Sequence, residues 1–184
     1  MSVLPKTKWM TAEDLFWFPN DGKRRELVKG ELREMPPASG RHGIYGGGLQ
    51  AYLGYYVLTQ KLGKIFLAET GFTIARAPDT VRAPDIAFVS TNRLPDPLPE
   101  GYFEFAPDLA VEVVSPNDTR RKLREKVNDW LDSGVRLIWV VDYQTRTITE
   151  YRSRQRVRML TEEDILDGGD VVPGFSLPVR EIFS

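Results

Sequence analysis

The sequence predicts an α/β fold: a central mixed β-sheet flanked by two long helices, with an added N-terminal β-hairpin. Three observations point there. Asp108–Val114 and Val135–Asp142 are short, almost continuously apolar runs, the pattern of strands buried on both faces. Between them, Leu123, Val127, Trp130 and Leu131 recur at helical spacing, so strand, helix and strand make a βαβ unit whose crossover is expected to be right-handed. Further upstream, Ser39 through Leu62 carries a second stripe of helical period.

In chain order, Thr11 caps a short helix, T-A-E-D-L-F-W-F, that ends before Pro19. Apolar residues alternate on either side of Lys29–Gly30 in R-R-E-L-V-K-G-E-L-R-E-M, which reads as a hairpin with a tight turn, ended by Pro36 and Pro37. On the long helix Tyr45, Leu49, Tyr52, Leu53 and Tyr56 share one face. Gly46, Gly47 and Gly48 each weaken it by roughly 1 kcal/mol relative to Ala, and would let another backbone or a ligand come close. Lys64–Glu69 and Phe72–Arg76 are expected to pair about Thr70–Gly71, and Pro84–Val89 forms the next strand. A Pro-rich surface loop runs from Ser90 to Pro107. Asn117 or Asp118 is expected to cap the second long helix, which Gly134 ends. Thr147–Tyr151 and Val157–Leu160 form a hairpin, and the tail is turn-rich with a few packing residues.

At 184 residues the chain is expected to form one domain, 1–184, without repeats or linkers. No apolar run approaches the ~20 residues of a membrane span, and the N-terminal stretch has no apolar signal core. The chain has no cysteine, so disulfides and thiolate metal sites are excluded. These features fit a cytoplasmic protein. A net charge of −1 means that contact with nucleic acid must rely on local patches.

The anomaly is Glu112, an acid in the middle of a buried strand. An unpartnered buried carboxylate costs several kcal/mol, so a metal ion, a lysine or both are expected beside it. Strand alternation puts Asp85 with Ala87 and Val89, and Glu112 with Ala110 and Val114. On neighbouring strands in register, the two carboxylates would point to one spot and suit Mg²⁺. The plainer alternative has one acid at a strand end and the other paired with an arginine. Lys126 sits at the edge of the helix's apolar stripe, from where its ammonium can reach the acids; Lys122 lies further toward solvent. A solvated lysine flank is the plainer reading. His42, the sole histidine, is either a phosphate or proton contact or simply a hydrogen bonder at the helix start. Two basic patches, Arg120 to Lys126 and the alternating Arg152, Arg154, Arg156 and Arg158, suit phosphates or guard a solvated edge; the second shares one face if that segment is extended. The sequence has no G-x-S-x-G, G-x-G-x-x-G or G-x-x-x-x-G-K-[ST], so serine-hydrolase and nucleotide-cofactor chemistry lack support.

P-D-I-A-F-V, L-A-V-E-V-V-S-P-N-D and K-V-N-D-W-L-D-S-G-V-R-L-I-W-V-V-D resemble the Uma-type endonuclease-like family, once called a domain of unknown function and abundant in cyanobacteria. R-R-E-L-V-K-G-E-L-R-E-M-P-P and D-V-V-P-G-F-S-L-P-V extend the resemblance over essentially the whole chain. It implies a restriction-endonuclease-like, PD-(D/E)XK nuclease fold and hydrolase activity on DNA with Mg²⁺, or Mn²⁺, as cofactor. The motif aspartate falls on Asp85 and the second acid on Glu112, both metal-binding and catalytic. The superfamily's lysine position holds Val114, and the lysine has moved to Lys126 on the following helix. The first-helix glutamate is missing between His42 and Lys61, leaving Glu26, Glu31, Glu34 or His42 as substitutes.

The reading is therefore a Mg²⁺-dependent DNA endonuclease, with a non-catalytic nucleic-acid- or protein-binding module and an inactive relic as alternatives. Trp9, Phe16, Trp17 and Phe18 offer either a homodimer surface or core packing.

Overall fold

The computed structural model describes residues 9–115 and 118–184. Among the described residues the α-helices are α1 (Ala12–Phe16), α2 (Gly40–Thr59) and α3 (Arg120–Asp132). The strands are β1 (Arg24–Val28), β2 (Glu31–Met35), β3 (Gly63–Leu67), β4 (Phe72–Ala75), β5 (Thr80–Arg82), β6 (Ile86–Ser90), β7 (Leu109–Val113), β8 (Leu137–Asp142), β9 (Thr147–Tyr151), β10 (Val157–Leu160), β11 (Ile165–Asp167) and β12 (Ser176–Pro178). They form a six-stranded sheet in the order β10-β9-β8-β7-β6-β3, a four-stranded sheet β2-β1-β5-β4 and a β11-β12 pair. β7 and β8 pair in parallel while the other pairs are antiparallel, so the central sheet is mixed.

The central strands alternate as their sequences require. Ile86, Phe88, Leu109, Val111, Val113, Leu137, Trp139 and Val141 face α2 and the C-terminal segment, packing on Leu49, Leu53 and Val57. Ala87, Val89, Ala110, Ile138 and Val140 face the other way, toward Val127 and Trp130 of α3. Burying each large apolar side chain contributes about 1.5–3 kcal/mol. Asp85 precedes β6 and Glu112 lies in β7, each in step with the α3-facing set.

Several local expectations are corrected. β3 and β4 do not pair with each other: β3 lies beside β6 and β4 beside β5, in different sheets. Gly71 serves close packing rather than a hairpin turn, since a Cβ there would sit 2.3 Å from the Tyr102 ring. The Ser90–Pro107 loop is not wholly superficial; Phe103 and Ala106 are buried, and Thr73 donates to the Phe103 carbonyl at 2.7 Å. Thr119 caps α3, accepting from Lys122 N–H at 3.2 Å, while Asp118 accepts from Ser115 N–H. Asn117, the other expected cap, lies outside the described residues. Tyr52 is on the solvent side of α2. Gly46 approaches Val113, whereas Gly47 and Gly48 face open space. The arginines from 152 to 158 do not share an extended face, because 152–156 form the turn between β9 and β10, closed by Arg152 N–H on the Arg156 carbonyl at 3.0 Å. Trp9, Phe16, Trp17 and Phe18 lie at the surface, not in the core. Among the described residues no helix is long and apolar enough to cross a membrane.

Candidate active site

β1, β2, the 36–38 segment, the start of α2, the ends of β6 and β7, and α3 enclose a cavity of about 420 Å³. Its floor brings together Asp85, Glu112 and Lys126, three residues singled out by sequence, with His42 and Glu26 beside them.

Lys126 Nζ donates to Glu112 Oε2 at 2.9 Å and lies 4.0 Å from Glu26 Oε1. The α3 register explains this: Val127 and Trp130 are buried against the sheet, and Lys126 sits at the margin of that face. The indole of Trp130 donates to Glu112 Oε1 at 2.8 Å, so both oxygens of the buried carboxylate have donors. Asp85 Oδ2 accepts Val113 N–H at 2.7 Å and lies 3.1 Å from His42 Nε2. His42 is in the first turn of α2, whose Ser39 cap accepts the His42 backbone N–H at 3.3 Å.

The two acids occupy opposite electrostatic regimes. Burial pushes Glu112 above the ordinary carboxylate range; Lys126 opposes this while the charges of Asp85 and Glu26 add to it. Burial also acts on Asp85, but His42, the Val113 N–H and the charge of Lys126 outweigh it and hold Asp85 below its usual value. For Lys126, burial disfavours the ammonium, yet attraction to Glu112, Glu26 and Asp85 wins and keeps it charged. His42 is raised above 6.5, first by its bond to Asp85 and against its own burial.

A second layer escapes sequence reading. Arg82 of β5 donates to Glu26 Oε2 at 2.7 Å and to Asp129 Oδ2 of α3 at 2.5 Å, with only 3% of its side chain exposed. Its signal in the sequence is a cation inside the apolar V-R-A, the counterpart of Glu112 inside A-V-E-V. Of the substitutes for a first-helix acid, Glu26 and His42 border the floor, Glu34 lines the cavity wall in a pair with Lys23, and Glu31 is outside the lining. Lys122 also lines the cavity, but nearer solvent than Lys126. The arginines from 152 to 158 are absent from the lining; Arg152, Arg154 and Arg158 pair with Asp170, Asp132 and Asp164.

Asp85 and Glu112 are the hard-oxygen donors that could hold a divalent cation. Mg²⁺ commonly takes one or two carboxylates and completes its shell with water and phosphate, which this donor set fits. Among the described residues no group of three or more His, Asp or Glu side chains forms a ready metal cage.

A mixed sheet between two helices, with acids and a lysine gathered at the strand ends, defines a restriction-endonuclease-like fold. The chain belongs to the Uma2 family, described as "Putative restriction endonuclease", whose model matches residues 12–180. Its fold is similar to the crystal structure of a protein from Anabaena variabilis described as a "putative nuclease belonging to DUF820", with a TM-score of 0.81 and 21% identity, covering 95% of this chain and 97% of the other. Comparison with curated proteins gives no match.

Proposed function

We propose that this protein is a Mg²⁺-dependent endonuclease that hydrolyses phosphodiester bonds of DNA, with Asp85 and Glu112 as metal ligands and Lys126 as the catalytic cation. The observation that carries the reading is the half-buried Lys126 ammonium on the buried Glu112, in a cavity shared with Asp85, on the fold of a nuclease family. When bound, the ion supplies Lewis acidity and an activated water. The protein's own groups prepare the rest. Val113 N–H and His42 keep Asp85 ionised and aimed at the cavity floor. Trp130 and Lys126 fix both oxygens of Glu112. Lys126, held charged, stabilises negative charge growing on the phosphate or orients the attacking water. His42 and Glu26 stand in for the missing first-helix acid by steadying Asp85 and Lys126.

One observation favours the second reading, a non-catalytic nucleic-acid-binding module: Asp85 and Glu112 already have protein donors. A plasmid-nicking assay separates the two. Mg²⁺ or Mn²⁺ is expected to support nicking that EDTA stops, and Asp85→Asn, Glu112→Gln and Lys126→Ala to abolish it in folded protein. Lys122→Ala should only weaken binding. Mn²⁺ should raise the melting temperature of the wild type but not of Asp85→Asn. A folded wild type that cuts neither plasmid nor single-stranded DNA and shows no metal-dependent melting shift overturns the nuclease reading.

A further inference from the structure

The reacting groups lie deep. Glu112 is 3% exposed, and the side chains of Asp85 and Lys126 are 15% and 17% exposed. A phosphate must enter the cavity to reach them, and about 420 Å³ is the size of a small-molecule site, room for about one nucleotide rather than a length of duplex. The β1–β2 wall is fixed on both levels. Arg33 of β2 forms a two-pronged pair with Glu125 of α3 at 3.0 Å, and beneath it Arg82 joins Glu26 of β1 to Asp129 of α3.

A second feature adjoins this mouth. Trp17 is 80% exposed, and Trp9 and Phe18 line a shallow depression with it. The chain passes from Phe18 through Pro19 to Asn20, which lines the cavity. Arg25 joins the two regions, because it also lines the cavity and its guanidinium lies 4.8 Å over the Phe18 ring. Lys122 is, among the described residues, a lining cation without an ion-pair partner. Arg25 itself is paired with Asp21 and Glu34, so Lys122 is the cation left to meet a phosphate. Exposed aromatics and a lysine free for the backbone are elements of a single-strand binding surface, where bases stack on rings and phosphates meet positive charge.

We propose that the substrate is single-stranded or frayed DNA: its bases stack on Trp17 and Phe18, Lys122 meets the backbone, and one nucleotide at a time enters between the clamped β1–β2 wall and α3. This rests on the nuclease reading for the chemistry, but the strand preference is separable from it.

The test compares a single-stranded oligonucleotide, a forked duplex and a blunt duplex of the same sequence. With Mg²⁺, the first two should be cut at least tenfold faster than the blunt duplex. Equal or faster cutting of blunt duplex overturns the inference and leaves the nuclease reading standing. If nothing is cut, that reading falls, and binding in EDTA decides the inference. The single strand should then bind at least tenfold tighter and quench tryptophan fluorescence; equal affinity for blunt duplex overturns it. Trp17→Ala, at an exposed position, should weaken single-strand binding on the order of tenfold with unchanged melting temperature. Unchanged affinity, or a change confined to the sedimentation mass, shows a surface for another protein copy and overturns it. Arg33→Ala with Glu125→Ala, which frees the wall while leaving the buried Arg82 tie, should bring the single-strand preference toward parity.

Discussion

The six-stranded sheet and the four-stranded sheet hold their places by different means. In the larger sheet, Leu109, Val111, Leu137, Trp139 and Ile138 are fully buried and fill both faces with apolar contacts. In the smaller sheet and its turns, the buried set includes Glu26, Thr73, Asp79, Thr80 and Arg82, beside a modest apolar cluster of Ala12, Leu15, Leu27 and Val81. Apolar packing is tolerant of its exact partner, whereas a buried ion is stable only while each counter-charge stays in place. The smaller sheet also walls the candidate active site, so the charges that hold it are the charges that shape the cavity.

The largest effect should come from Arg82→Ala. It leaves Glu26 buried without its main partner and should cost about 3–5 kcal/mol in urea unfolding. Replacing Glu26 and Arg82 together by Leu and Met should recover most of that loss; failure to recover would mean that packing, not charge pairing, holds the wall.

Leu137→Ala should cost about 2–5 kcal/mol through the cavity it leaves in the central sheet, with no polar second-site change restoring it. Unfolding followed by circular dichroism measures this loss.

A smaller, pH-dependent effect belongs to Asp79. Burial raises its carboxyl, but the N–H groups of Ala12 and Ala77 and the Arg76 guanidinium outweigh that and hold it below 3.8. A depressed folded value gives stability that is full above 3.8 and lost as pH falls through the lowered value. Asp79→Asn should therefore be less stable than the wild type near neutral pH, on the order of 1–2 kcal/mol, and the gap should close in acid. A gap that persists at the lowest pH would refute the charge assignment.

The smallest effect is expected at the β9–β10 turn. Arg154 is exposed, pairs with Asp132 at 2.6 Å and lies outside the cavity lining. Arg154→Gln should alter the salt dependence of DNA binding by well under one unit; a drop of about one unit would return this arginine to the nucleic-acid surface.

The same contrast governs what sequence reading could see. β7, β8, α3 and the β9–β10 hairpin were legible because their periodicity is set by burial, and burial follows local pattern. Lys126 was legible as well: only a residue at the margin of the Val127–Trp130 face can be near the sheet and partly wet. β5 escaped because three residues, Thr80–Arg82, show no alternation; for the same reason β11 gives no strand signal and β12 falls within the turn-rich tail. β3 and β4 misled because a Thr-Gly step between strand-like runs looks like a hairpin, whereas partner choice depends on strands far along the chain.

Local pattern carried a mixed α/β sheet between two helices, with one acid inside a core strand and another just before the neighbouring strand, because strand and helix periods are local properties. The tertiary structure alone decided that Arg82 joins Glu26 to Asp129, that His42 meets Asp85, and that the N-terminal hairpin becomes the wall of the cavity. Those contacts join residues 43 to 56 positions apart, and no periodicity carries information over that distance. A buried charge announces that it needs a partner; only the folded chain decides which one it receives.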